Sequence, residues 1–160
     1  MFYLNLVPEI GARVMNLNNP LSKMSKSFQE NDGGVVGLLD SDSEILKTIK
    51  RAVTDSGNEI QFSEDKDKAG VNNLLGIYKV ITGKSIKDVE KDFEGAKGYG
   101  VLKEKVGEIV VDTVSPIRTR YQEFMSDPSE LDRLLAIGAE NARSISEPKV
   151  VEMKNKMGFI

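Results

Sequence analysis

Apolar residues recur every three or four positions over most of the chain beyond residue 40, which is the spacing of helices with one buried face. The first such run opens with a capping-box pattern, Ser41 followed by Glu44, and should end near residues 55–57. The second run ends at Gly83, which suits the left-handed backbone that closes a helix, and Ser85 opens a third, shorter run. The apolar positions of these three predicted helices are Ile45, Leu46, Ile49, Ala52 and Val53; Val71, Leu74, Leu75, Tyr78 and Ile81; and Ile86, Val89 and Phe93.

Two longer helical patterns follow. One extends from Leu102 to Phe124 and contains Pro116, which predicts either one long kinked helix or two helices. The other begins with Asp127 as an N-cap, and Pro148 predicts a restart there as a separate terminal helix that stops at Gly158. Five or six helices are therefore expected.

The first part of the chain has a different pattern. Phe2–Val7 is rich in aromatic and aliphatic residues and predicts a short strand, and Gly11–Leu17 predicts a second extended piece. Asparagine, proline and glycine residues in 16–20 and 31–34 predict turns. A long, mobile loop between extended segments is therefore expected. The polar stretch 56–68 predicts a surface loop.

Composition narrows the possible functions. The chain has 160 residues, about one ordinary domain and long enough to bury a sizeable core. Its 22 basic and 25 acidic residues give a net charge of -3, which excludes a strongly basic, non-specific nucleic-acid binder. Cysteine and histidine are absent from the sequence, which excludes disulfides, zinc sites built on thiolate or imidazole, and Ser-His-Asp triads. With no apolar run near the roughly 20 residues that span a bilayer, a cytoplasmic protein without a membrane partner is expected.

The candidate chemistry lies in the sequence KMSKS, residues 23–27. Lys23 and Lys26 can place positive charge on phosphate oxygens, and Ser25, Ser27 and the backbone N–H groups can donate hydrogen bonds to them. Such groups suit the activation of a carboxylate by ATP, because charge builds on the departing pyrophosphate. The alternative is a solvated basic loop, which composition alone favours, so the surrounding sequence has to decide.

Two other motifs have simpler structural interpretations. Gly83–Ser85 matches the end of a phosphate-binding P-loop, but Tyr78 stands where that motif needs its first glycine, so a helix stop followed by a helix start is favoured. The acidic residues of 40–44 resemble the opening of a calcium loop, but Arg51 stands where the loop needs a glutamate. Negative charge at a helix N-terminus accounts for them better.

Basic and aromatic residues raise the question of RNA contact. The basic residues that could contact RNA phosphates are Lys47, Lys50, Arg51, Arg118 and Arg120. Their favoured interpretation is nevertheless that they belong to solvated helix faces. Three tyrosines could stack on bases, namely Tyr78, Tyr99 and Tyr121. For Tyr78 and Tyr121, helical spacing beside aliphatic residues favours core packing instead.

Several blocks in fixed order resemble the class I aminoacyl-tRNA synthetases, and within them the bacterial tryptophanyl-tRNA synthetases. Apart from KMSKS, these blocks are Gly11–Met15, Arg51–Ser56, Ala69–Tyr78 (AGVNNLLGIY), Glu94–Gly100 (EGAKGYG) and Pro116–Tyr121. The resemblance covers nearly the whole chain. It implies a mainly α protein in which a helical, anticodon-binding-like bundle (39–160) is preceded by a short remnant of an α/β Rossmann domain that carries the KMSKS loop (1–38).

The resemblance also implies a function. The parent enzyme would activate L-tryptophan with ATP and Mg²⁺ and transfer it to tRNA(Trp). Residues Lys23, Met24, Ser25, Lys26 and Ser27 would hold the ATP phosphates, with Lys26 and Lys23 as catalytic residues and Lys26 acting mainly in the transition state. The backbone of Val14 would contact the adenine, no protein metal site is implied, and the sequence does not identify the residues that contact the anticodon.

The chain departs from the family pattern in two ways. Ser22 and Phe28 stand where the family often carries a basic residue before the motif and Asp-Pro after it. A chain without histidine also lacks the HIGH motif of the Rossmann half, so it resembles the C-terminal half of such an enzyme. We therefore expect an inactive, monomeric or weakly associated fragment of a homodimeric ligase. The alternative is a stand-alone tRNA-binding or interaction module without ligase activity.

Overall fold

A computed structural model of the chain describes residues 11–25 and 33–159. The predicted strand Phe2–Val7 lies outside these residues. In the described ranges the protein is mainly helical and contains no β-strand, only an isolated antiparallel bridge between Met15 and Lys23. The extended piece predicted at Gly11–Leu17 is thus reduced to one bridge.

Five α-helices follow in the described part of the chain, and their bounds are α1 Asp42–Lys50, α2 Ala69–Thr82, α3 Ile86–Asp92, α4 Tyr99–Ser126 and α5 Pro128–Met157. A short 3₁₀ turn, Lys66–Lys68, precedes α2 inside the stretch predicted as a surface loop. No described helix is long and apolar enough to cross a membrane.

The predicted helix ends are largely confirmed. Ser41 and Glu44 form the capping box of α1, with each side chain bonded to the other residue's backbone N–H. Gly83 ends α2 in the left-handed region with φ of 67°, and Ser85 caps α3 by accepting from the Asp88 N–H. Asp127 caps α5. The end of α1 differs, because the helix stops at Lys50, well before the predicted residues 55–57.

The two internal prolines do not break their helices. Pro116 lies inside α4, so the one-helix alternative holds there. Pro148 lies inside α5, so the predicted restart as a separate terminal helix is wrong, although Gly158 does end the helix at φ 73°. An interior proline loses the bond of its missing N–H and its ring crowds the carbonyl four residues earlier, but its φ is helical, and the residues on both sides propagate the helix cooperatively.

The chain divides into two compact units, residues 1–117 and 118–160. The buried apolar core runs from Leu17 to Val114 and therefore lies in the first unit. Its fully buried side chains come from α1 to α4, and each stabilises the fold by about 1.5–3 kcal/mol: Ile45, Ile49, Val71, Leu74, Leu75, Val89, Leu102 and Val106.

Some residues predicted to face inward do not. Leu46, Val53, Ile81 and Ile86 are 38–47% exposed. Leu46, Ile81 and Ile86 lie at the edges of their apolar stripes, where a helix of 3.6 residues per turn rotates side chains away from the core. Val53 lies beyond the end of α1, so the helical spacing that predicted its burial does not apply there. In the second unit, none of the described residues of α5 is buried.

Candidate functional site

The start of the KMSKS motif pairs with a short backbone segment, residues 14–17, which we call the stem. Lys23 pairs with Met15 in the antiparallel bridge, and the flanking bonds are Met24 N–H to the Val14 carbonyl at 3.0 Å and Asn16 N–H to the Ser22 carbonyl at 2.8 Å. Met24 packs against the core, whereas Lys23 is exposed. The motif therefore begins on a fixed backbone with its first ammonium group free to reach solvent. Lys26 and Ser27 lie outside the described residues.

A tight turn connects the stem to the motif. The buried side chain of Asn16 accepts hydrogen bonds from the backbone N–H groups of Asn18 at 2.8 Å and Asn19 at 3.0 Å. The Ser22 N–H then donates to the Asn19 carbonyl at 2.9 Å. This is the local chemistry by which asparagine shapes turns, and it agrees with the turn predicted at residues 16–20.

Helix α2 holds the other side of the stem through Asn73. The side-chain amide of Asn73 accepts from the Met15 N–H and donates to the Met15 carbonyl, both at 2.9 Å. In an antiparallel pair of this kind, the residue's own N–H and C=O point away from its partner. Asn73 thus occupies the place that a further strand would take, and it closes the free edge of the bridge.

The stem is also tied to the chain that follows the motif. Leu17, 2% exposed, donates its N–H to the Gly34 carbonyl at 2.8 Å and accepts from the Val53 N–H at 2.7 Å. A Cβ on Gly34 would lie 2.1 Å from Asn16 Oδ1 and 2.9 Å from the Asn18 nitrogen, so only glycine fits there. Both ends of the segment that contains KMSKS therefore meet at the stem.

A second asparagine in α2 makes the same kind of contact elsewhere. Asn72 accepts from the Ser63 N–H at 3.0 Å and donates to the Ser63 carbonyl at 2.6 Å. Two consecutive residues of one helix thus each bond to both backbone groups, the N–H and the C=O, of one distant residue. Asn72 fixes the loop before α2, and Asn73 fixes the stem.

A cleft of about 400 Å³ lies between the stem and α2. Its wall is mostly aliphatic and includes Val14, which is 40% exposed. Both asparagines of α2 line the cleft as well, and the other lining residues are Gly11, Arg13, Met15, Pro20, Ala69, Gly76, Ile77, Val80 and Ile81.

A polar network lies at the end of the Arg51–Ser56 block. The Tyr99 hydroxyl donates to Asp55 at 2.8 Å, and Lys68 Nζ lies 3.1 Å from that hydroxyl and 3.6 Å from Asp55. Burial tends to raise the pKa of Asp55, but the hydrogen bonds from Tyr99 and Gly57 and the charge of Lys68 outweigh it and lower that pKa. The hydrogen bond to Tyr99 raises the pKa of Lys68. Tyr99 is buried in this network and does not present its ring to bases.

The remaining candidates have structural partners. Asp40 accepts from the Gly37 N–H, Asp42 accepts from the Ser115 hydroxyl, and Glu44 belongs to the capping box, so the acidic residues of 40–44 serve separate contacts. The helix stop and start predicted at Gly83–Ser85 are confirmed.

The basic and aromatic candidates are divided between the two units. Lys47, Lys50 and Arg51 are exposed on or next to α1. Arg120 pairs with Glu123 at 2.8 Å. Tyr78 is buried, as predicted, and donates to Asp92, but Tyr121 is 44% exposed, so core packing is wrong for Tyr121. The surfaces of α4 and α5 beyond residue 117 therefore leave apolar positions in solvent.

Neither asparagine of α2 was singled out as functional by the sequence. The available signal was weak: Asn72 and Asn73 interrupt an otherwise apolar stretch at the start of α2. The structure shows that Asn73 is buried and that its partner lies 58 positions away. A buried amide needs partners, but the pattern does not say which ones.

The helical core and the stem that leads into the KMSKS motif both lie within the segment that has known relatives. Residues 4–115 match the family "tRNA synthetases class I (W and Y)", and the chain belongs to that family. Within it, the relatives are tryptophanyl: the chain is 43% identical over 153 residues to the tryptophan–tRNA ligase of Bacillus subtilis, covering 96% of this chain and 45% of that protein. The chain thus spans about half the length of the curated relatives it matches.

Solved structures of tryptophanyl-tRNA synthetases are also similar to this chain. The crystal structure of tryptophanyl-tRNA synthetase from Mycoplasma pneumoniae superposes with a TM-score of 0.80 at 27% identity, over 94% of this chain and 45% of that one. The Campylobacter jejuni tryptophanyl-tRNA synthetase complexed with ADP and tryptophan has a TM-score of 0.64 at 27% identity, over 95% of this chain and 45% of that one. The resemblance drawn from the sequence blocks is confirmed.

Proposed function

We propose that the chain is the C-terminal part of a tryptophan–tRNA ligase whose complete form activates L-tryptophan with ATP and transfers it to tRNA(Trp). In this proposal residues 1–38 are the C-terminal edge of the Rossmann catalytic domain, and residues 39–160 are the helical domain that binds the anticodon. The observation that carries the proposal is the KMSKS motif. Its first residues are hydrogen-bonded to the stem, inside the segment that matches the family.

The loop would act on the phosphates of ATP. When the tryptophan carboxylate attacks the α-phosphate, pyrophosphate departs and negative charge builds on it. Lys23 and Lys26 would neutralise that charge, while Ser25 and Ser27 donate hydrogen bonds and the Val14 backbone contacts the adenine. Mg²⁺ would enter with ATP, because it binds mainly through substrate phosphates.

A fusion tests the proposal. This chain is joined to the part of the Bacillus subtilis ligase that it does not span, and tryptophan-dependent ATP–pyrophosphate exchange is measured. The fusion is expected to catalyse exchange, and the 160-residue chain alone is expected to be inactive because it lacks the HIGH-motif half. A folded fusion without exchange would contradict the proposal, and steady exchange by the chain alone would contradict the assignment of an inactive fragment.

The proposed role of Lys26 can be tested separately by substitution in the fusion. Lys26→Ala should lower kcat for exchange far more than it raises the KM for ATP, since a group that acts in the transition state contributes little to ground-state binding. Lys50→Ala, which removes an exposed lysine of α1, is the matched control. An effect confined to KM for ATP would refute the transition-state role.

Binding of tRNA distinguishes the second candidate. The chain is expected to bind tRNA(Trp) more tightly than unrelated tRNAs in a filter or fluorescence assay, and equal affinities would count against anticodon recognition. Selective binding together with an inactive fusion would favour a stand-alone tRNA-binding module. The complete ligase is proposed to be a cytoplasmic homodimer and the chain alone a monomer or weak associate, which sedimentation can test.

A further inference from the structure

The contact between Asn73 and Met15 links a core helix directly to the motif. Asn73 lies in α2 among side chains that are fully buried, including Val71 and Leu74, and is itself only 9% exposed. Because the amide of Asn73 bonds to both the N–H and the C=O of Met15, one side chain fixes the height and tilt of the Met15 backbone relative to α2.

Met15 in turn sets the position of the motif. It is the bridge partner of Lys23, and the bonds from Met24 to Val14 and from Asn16 to Ser22 flank the pair on both sides. The Cα atoms of such a pair lie about 4.5 Å apart. A movement of Met15 would therefore carry the first lysine of KMSKS with it.

The chemistry of this contact is specific to asparagine. The amide offers one acceptor to the Met15 N–H and one donor to the Met15 carbonyl. An aspartate of similar size would keep the acceptor but lose the donor and bring a negative charge to a carbonyl oxygen. An alanine would lose both bonds.

We propose that Asn73 is the positioning residue that acts through Met15 to hold the start of the KMSKS motif, Lys23 and Met24, in register for reaction with ATP. The inference rests on the proposed ligase function. Asn72 provides a matched control, because it makes the same two-way contact from the same helix to Ser63, which carries no part of the motif.

The first test is amide hydrogen exchange on this chain. In Asn73→Ala, exchange should accelerate about tenfold or more not only at Met15 but also at Asn16 and Met24, whose bonds Asn73 does not make. In Asn72→Ala, those amides should keep the unaltered rates while Ser63 exchanges faster. Unchanged protection of Asn16 and Met24 in Asn73→Ala would overturn the inference.

The second test uses pyrophosphate exchange by the fusion. Asn73→Ala should lower kcat roughly tenfold to a hundredfold with little change in the KM for tryptophan, since small displacements of a catalytic group cost rates of that order. Asn73→Asp, which preserves the side-chain volume, should lower kcat to a similar extent. The kcat of Asn72→Ala should stay within about twofold of that of the unaltered fusion. An inactive unaltered fusion would refute the proposed function, whereas an active fusion with equal kcat in the Asn73 and Asn72 variants would refute this inference alone.

Discussion

Gly34 offers a sharp test of how the base of the KMSKS segment is built. In Gly34→Ala, the new Cβ would lie 2.1 Å from Asn16 Oδ1 and 2.9 Å from the Asn18 nitrogen. The Asn16 side chain must then move and give up its bonds to the N–H groups of Asn18 and Asn19. Rotation of Asn16 alone does not relieve the contact with the Asn18 backbone.

The expected magnitude follows from these contacts. Two lost hydrogen bonds cost about 1–3 kcal/mol in total. The alanine recovers roughly 0.4–1 kcal/mol by restricting the unfolded chain. The net loss in the free energy of unfolding should therefore be about 1–2 kcal/mol, or a decrease of roughly 0.5–1 M in the urea midpoint for a slope of about 2 kcal/mol/M.

Urea unfolding followed by circular dichroism measures this change. Gly100→Ala is the control, because Gly100 lies in α4 of the same unit and a Cβ there would meet nothing within 4 Å. That variant should be unchanged or more stable by up to about 1 kcal/mol. If Gly34→Ala were as stable as Gly100→Ala, the close packing of Gly34 against Asn16 would be refuted.

Two further variants test other parts of the first unit. Gly70→Ala should cost about 1–3 kcal/mol of unfolding free energy in the same urea assay, because its Cβ would lie 2.0 Å from the Val53 carbonyl oxygen, and a stability equal to that of Gly100→Ala would contradict it. Tyr99→Phe should cost about 1–2 kcal/mol at neutral pH, because Asp55 and Lys68 lose a buried partner. The pKa of Asp55 is lowered by folding, so its contribution is present above its unfolded pKa of about 4 and is lost as pH falls through the folded value. Tyr99→Phe should therefore lose less stability than the unaltered protein between neutral pH and pH 2, and an identical acid profile would refute the role of Tyr99.

Local sequence rules predicted most helix boundaries, because the groups involved are close in the chain. The Ser41 capping box, the Gly83 stop and the Ser85 start each depend on residues within four positions of one another. The apolar stripes of α1, α2 and α3 likewise identified most of the core. Proline was the exception, since its local preference at position 148 was outweighed by the cooperativity of a long helix.

The sequence by itself also determined the family and the candidate chemistry, because KMSKS and the blocks around it are contiguous strings that need no coordinates to read. Tertiary structure alone decided how the motif is held. Asn73 meets Met15 across 58 positions, and Leu17 meets both Gly34 and Val53. The physical reason is that the pattern of a helix shows that a polar residue is buried, whereas its partner is chosen by the packing of distant segments.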